Sequence, residues 1–152
     1  MNKAFLREPD AVDPLCPACG SIGVGVEWET VTSLVRSEVL ASAGTITREE
    51  AYFCPLGSCG VVYFDALGRS LTKEVLKAPG YPKDPDAPIC PCFGLRIEDI
   101  ERDLAEGAPT RTRAAVRRAA TDEADCLHRN LHGRSCAAEV QRYYVRRQAA
   151  DG

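Results

Sequence analysis

One methionine (Met1), one tryptophan (Trp28) and two histidines (His128 and His132) are all that the 152 residues hold of those types. A lone methionine argues against a methionine-rich copper site. No apolar run approaches the ~20 residues of a membrane helix, and the opening MNKAFLREPD lacks the apolar centre of a secretory signal. A cytoplasmic setting is therefore expected, where thiols stay reduced. The formal net charge of −3 points to no polyanionic partner. Arginines gather after residue 95 (Arg111, Arg113, Arg117, Arg118, Arg142, Arg146, Arg147), but Glu98, Asp99, Glu101, Asp103, Asp122 and Glu123 are interspersed with them. That mixture reads as solvated helix faces rather than a nucleic-acid stripe. Also missing are a phosphate-binding glycine loop, an acid–base pair suited to turnover of an organic substrate, and any internal repeat.

Cysteine, by contrast, is plentiful: eight residues in two groups of four. In a reducing compartment such a chain reads as a metal binder rather than a disulfide scaffold. Cys16-Pro-Ala-Cys19-Gly20 has knuckle spacing, in which two intervening residues let both sulfurs turn onto one ion and the glycine permits the close turn. Cys54-Pro-Leu-Gly-Ser-Cys59-Gly60 repeats the pattern with a wider loop between two apolar stretches. Four thiolates close a tetrahedral zinc shell and leave no open position. A rubredoxin-type iron and four buried free cysteines are the alternatives, and Asp65 could replace Cys59 as a ligand.

The second group is Cys90-Pro91-Cys92, then Cys126 after 33 intervening residues and Cys136 after nine more. An extended backbone through Pro91 would set both sulfurs of the pair on one side. The spacing is poor for a small zinc knuckle and suits a larger [2Fe–2S] unit held between helical segments. Helix N-termini expected after Gly94 and near Ser135 would stabilise its negative charge. A second zinc, or no metal, are the competing readings.

The chain is expected to be α+β. Residues 1–76 form a small zinc-ribbon-like α/β lobe behind an irregular leader at 1–15. Strands are expected near Ser21–Val26, Ala51–Phe53 and Val61–Phe64, and a helix over Thr30–Leu40 with Thr30 able to cap it. Residues 77–89 hold four prolines and a glycine and are read as a stiff linker. Residues 90–152 form a helical lobe: a helix with Ile97, Ile100 and Leu104 on one face ended by Gly107 and Pro109, a second over Thr110–Ala120, a cysteine-bearing loop, and a last one marked by Ala137, Val140 and Tyr144.

CPCFG followed by an acidic amphipathic helix, a later C-x9-C around Gly133-Arg134, and the Cys54-to-Phe64 stretch together resemble the N-terminal domain of CopZ-type copper chaperones over roughly residues 14–148. The resemblance implies a structural zinc on Cys16, Cys19, Cys54 and Cys59. It also implies a [2Fe–2S] cluster on Cys90, Cys92, Cys126 and Cys136, in a lobe similar to bacterioferritin-associated ferredoxin. Asn130–Arg134 carries leucine where an Asn-Pro turn is expected, and no Met-x-Cys-x-x-Cys copper module is found in the 152 residues. Copper carriage is therefore expected to fall to a separate chaperone or copper-transporting ATPase, with an electron donor as a further partner.

The leading expectation is a one-electron carrier and metallochaperone, rather than a substrate-turnover enzyme, that supports copper handling by reducing Cu(II) to Cu(I). The alternative is a non-redox interaction module held by two zinc ions. His128 and His132 are read as surface loop residues, with cluster tuning, copper binding or direct ligation as lesser options. Trp28 is expected to pack under the zinc lobe. Of Tyr143 and Tyr144, one should be buried and the other partly exposed.

Overall fold

The computed structural model describes residues 13–151; residues 1–12, and with them most of the expected leader, lie outside the described residues. Four strands make one antiparallel sheet in the order β1-β2-β3-β4: β1 Val24–Gly25, β2 Ala51–Phe53, β3 Val61–Asp65 and β4 Ser70–Thr72. The first strand is shorter than its sequence suggested. β4 follows β3 through a tight turn that Asp65 organises by accepting from the N–H groups of Leu67 and Arg69 at 3.0 and 2.9 Å. The side chain of Asp65 is thus occupied in a turn, not at the cysteines.

The helix expected over Thr30–Leu40 is two short ones, α1 Trp28–Leu34 and α2 Ser37–Leu40. Between them Val35 is extended and bridges antiparallel to Leu76. Arg36 N–H donates to the Val75 carbonyl and Lys77 N–H to that of Leu34, at 3.0 and 2.8 Å. Backbone pairing with a distant segment therefore overrides a helical apolar spacing that is real but local. Thr30 caps nothing: it is fully buried, and its hydroxyl donates to the Leu127 carbonyl at 2.6 Å.

The first core gathers Val31, Val35, Ile46, Phe53, Val62 and Tyr63 with Leu71 and Leu76, and Trp28 packs against it. Leu131, from the far half of the chain, belongs to this same core. Tyr63, wholly buried on β3, donates its hydroxyl to the Leu131 carbonyl at 2.6 Å.

The remainder is helical: α3 Ile97–Glu106, α4 Thr110–Ala119, the single turn α5 Cys126–Arg129, and α6 Ala137–Asp151. Asp99 accepts from the Arg96 N–H at the start of α3, and Gly107 closes that helix in the left-handed conformation that glycine adopts without steric cost. Asp103, on the buried side of α3, accepts from the Thr112 N–H at 2.7 Å and Arg111 at 2.9 Å, which ties α3 to the first turn of α4. Ile89, Leu95, Ile100, Ala115, Ala119 and Val140 make the second core, and Cys90 and Cys136 are part of it. Tyr143 and Tyr144 are both half-buried against it; Tyr143 donates to Glu101 at 2.7 Å. Among the described residues no helix is long and apolar enough to cross a membrane.

Candidate metal centres

Cys16 lies in a short bridged loop, with Leu15 paired to Ile22, the Cys16 N–H donating to the Ser21 carbonyl at 2.8 Å and the Gly20 N–H returning to the Cys16 carbonyl at 2.9 Å. That knuckle aims Cys16 and Cys19 the same way. Cys54 leaves β2 with its N–H still donating to Val62, and Cys59 turns back with its N–H on the Leu56 carbonyl. The hairpin between β2 and β3 thus delivers the second pair opposite the first. All four sulfurs lie within 4.8 Å of one another. Cys16 and Cys59 are 3.9 Å apart and Cys19 and Cys54 3.5 Å apart. A tetrahedron with bonds of about 2.3 Å to zinc has edges of about 3.8 Å, so the donor set and its spacing fit one zinc ion.

Cys16 and Cys54 are buried, whereas Cys19 is exposed. Bonds from the Ser21 hydroxyl and N–H, the hydroxyl oxygen 3.2 Å from the sulfur, hold the Cys19 thiol down at about 6. Burial pushes Cys54 up to about 12, with the charge of Lys83 acting the other way. Burial likewise raises Cys59.

The second quartet differs in kind. Cys90 does not run on in an extended strand: it opens a turn closed by Leu95, its N–H donating to the Leu95 carbonyl at 3.2 Å. After the larger effects of Cys136 and of burial, the Phe93 and Cys92 backbone in that turn also lowers the Cys90 thiol. Cys126 opens α5, and Cys136 stands immediately before α6, its carbonyl accepting from the Val140 N–H. All four thiols influence one another: Cys90 most of all, then burial, Cys126 and Cys92, raise Cys136, and burial, then Cys92 and Cys90, raise Cys126. The Cys136 bond to Cys90 lowers the latter's thiol to about 7 against the effect of burial, and drives Cys136 itself well above the ordinary thiol range. Burial raises Cys126, and the Asp125 N–H donates to the Cys92 sulfur at 3.3 Å. Cys90 and Cys136 are buried; Cys92 and Cys126 are part-exposed. Among the described residues only the first quartet places three or more metal-ligating atoms within 4.8 Å of one another. The second quartet is more widely spaced than that.

The two histidines part company. His128 is exposed, with Asp125 at 2.7 Å and Glu29 at 3.4 Å, and the Asp125 bond raises its pKa. His132 is not a surface residue as its loop position suggested. Its side chain is only 12% exposed, pairs with Glu139 and stands edge-on to Phe53. Neither histidine shares a cage with the cysteines. A residue that sequence reasoning missed is Lys83, buried within the proline-rich segment against the Cys54–Cys59 loop. Lysine in a polar, proline-rich stretch gave no signal for it.

The fold and site define a small α+β protein built around a tetrathiolate centre. Residues 13–77 match the family model of the CopZ-type zinc binding domain, which spans all four cysteines of that centre. Over those residues the chain is similar to that zinc binding domain. Its fold is similar to the X-ray structure of the CopZ N-terminal domain from Archaeoglobus fulgidus, with a TM-score of 0.67 and 24% identity, over 85% of this chain and 96% of that one. No curated protein matches the sequence.

Proposed function

We propose that this chain is a [2Fe–2S] one-electron protein with a structural zinc that supports copper handling. The observation that carries the reading is that Cys90 and Cys136 share the second core while the N–H of Asp125, beside Cys126, reaches the Cys92 sulfur, which gathers four thiols in a wider spacing than the first quartet that closes on one point. Two sulfide-bridged irons need two thiolates each, so their ligands fall into separated pairs; one zinc needs a tetrahedron. The Asp125 N–H on the Cys92 sulfur, the turn backbone that lowers the Cys90 thiol, and the α6 N-terminus beside Cys136 suit a negatively charged cluster. This reading keeps residues 1–76 as the zinc lobe, 77–89 as a linker and 90–152 as a cluster lobe like bacterioferritin-associated ferredoxin. Cys90, Cys92, Cys126 and Cys136 would hold the cluster, which would supply the single electron that takes Cu(II) to Cu(I). A separate copper carrier or copper-transporting ATPase then takes the ion, and an external donor re-reduces the cluster.

Anaerobic purification from iron-replete cells tests it. The protein is expected to be red-brown, to contain iron and zinc in about a 2:1 ratio, and to give a rhombic electron-spin signal after dithionite. Cys90→Ser and Cys126→Ser should lose the colour, and Cys16→Ser should keep it. A colourless protein with zinc in both quartets overturns the proposal in favour of a non-redox interaction module.

A further inference from the structure

Lys83 is 3% exposed. Its ammonium donates to the Leu56 carbonyl at 2.6 Å and the Cys59 carbonyl at 3.1 Å, and stands 5.8 Å from the centre of the Phe53 ring. Both carbonyls belong to the loop that carries Cys54 and Cys59. Among the described residues no carboxylate lies within ion-pair distance of it. An ammonium held out of water without an anion is costly, and two carbonyl dipoles offset only part of that. Four thiolates around Zn²⁺ make a dianion, also largely buried here and equally in need of compensation. A neutral donor would satisfy the two carbonyls; only a cation answers the dianion.

We infer that Lys83 is the buried counter-charge of the tetrathiolate zinc centre and the residue that positions its Cys54–Cys59 loop. The inference rests on the first quartet holding zinc. Lys83 reaches the loop because the proline-rich segment packs on it: a Cβ at Gly57 would lie 3.1 Å from the Pro82 carbonyl. That segment runs on directly to Cys90, so the zinc centre and the start of the second quartet share one anchored stretch of chain.

The test compares zinc-loaded parent with Lys83→Gln, which keeps a donor and loses the charge, and with Lys83→Met, which keeps the stem and loses both. Zinc transfer to excess 4-(2-pyridylazo)resorcinol is followed by absorbance, with circular dichroism as the check on folding. Outer-shell partners commonly control metal affinity by about 10–100-fold, and a loss in that range is expected for both variants, with the parent's spectrum retained in saturating zinc. Lys83→Gln holding zinc as the parent does overturns the counter-charge, whatever Lys83→Met does. So does a Lys83→Gln chain that fails to fold even in saturating zinc, since the lysine would then serve the fold independently of the metal. A parent that binds no zinc refutes the zinc reading instead, which separates the two failures.

Discussion

Leu131→Ala is expected to destabilise the entire chain, although residue 131 sits in a loop between two cysteines of the second quartet. Its side chain is 3% exposed and belongs to the core beneath the sheet, wedged against the 77–89 segment so closely that a Cβ at Gly80 would come within 2.9 Å of it. Removing a buried leucine side chain costs about 2–5 kcal/mol, the upper end applying where neighbours cannot relax into the void. The Tyr63 bond to the Leu131 carbonyl pins the backbone and limits that relaxation, so about 3 kcal/mol is expected. With a guanidinium slope of about 4 kcal/mol/M, the midpoint falls by about 0.7 M. The assay is guanidinium denaturation in saturating zinc, followed both by Trp28 fluorescence, which reports the first core, and by helical circular dichroism, which reports α3, α4 and α6. Both probes should shift together. A shift worth less than about 0.5 kcal/mol, the range of ordinary surface substitutions, would refute the reasoning. So would a shift in the fluorescence alone, because the loop would then not couple the halves.

Tyr63→Phe should cost about 1–2 kcal/mol in the same assay, since it leaves a buried carbonyl without its donor; an unchanged midpoint would show that the bond contributes nothing. Gly133→Ala should be worse than an ordinary loop substitution: Gly133 has φ +71°, and a Cβ there would lie 2.5 Å from the Thr30 hydroxyl. The left-handed backbone alone costs about 1–2 kcal/mol for alanine, and a soluble variant of parental stability would contradict the packing of this loop on α1. Asp103→Asn has a pH signature. Burial acts to raise the Asp103 pKa, but the N–H of Thr112 and the Arg111 guanidinium outweigh it and hold it below the ordinary carboxylate range. Its contribution is therefore complete above the unfolded value near 3.9 and lost as pH falls through the lower folded value. The stability gap between parent and variant should be constant near neutrality and narrow only below about pH 4. A gap that widens in acid would reverse the sign and refute the assignment.

What the sequence disclosed follows from how local each signal is. β2 and β3 are short apolar stretches flanking a cysteine loop, and α3 carries its own apolar stripe, capping acid and terminal glycine; those features decide their structure within a few residues. The convergence of Cys16, Cys19, Cys54 and Cys59 was legible for the same reason, since each pair is set by its own turn. The break at Val35 was not, because it depends on backbone pairing with Leu76. Nor was the turn at Cys90: the reading through Pro91 considered φ at one residue, whereas Leu95 closes the loop from five residues on. His132 looked like a surface residue because it lies in the loop between Cys126 and Cys136; its neighbours in space are Phe53 and Glu139.

The two cysteine quartets show how differently one chain gathers four thiols. In the first, each half of the ligand set is a self-contained turn of two or four intervening residues, so both sulfurs of a pair approach one point and two such turns complete a tetrahedron. In the second, Cys90 and Cys92 share a turn, Cys136 joins Cys90 in the second core, and the Asp125 N–H beside Cys126 reaches the Cys92 sulfur, so the quartet draws on distant segments. A site assembled that way exists only if the 90–95 turn, α5 and the head of α6 are already in place. The loop that supplies α5 is held by Leu131 in the sheet core and by Thr30 on α1. Hence the sheet that carries the first quartet is also part of the scaffold for the second, and, on the proposed reading, Gly133→Ala, which alters no cysteine, should loosen the second site while leaving the first quartet's tetrahedron intact. Zinc retention without iron incorporation in that variant would be the signature; parental loading of both metals would show that the second pair of segments assembles without support from the sheet.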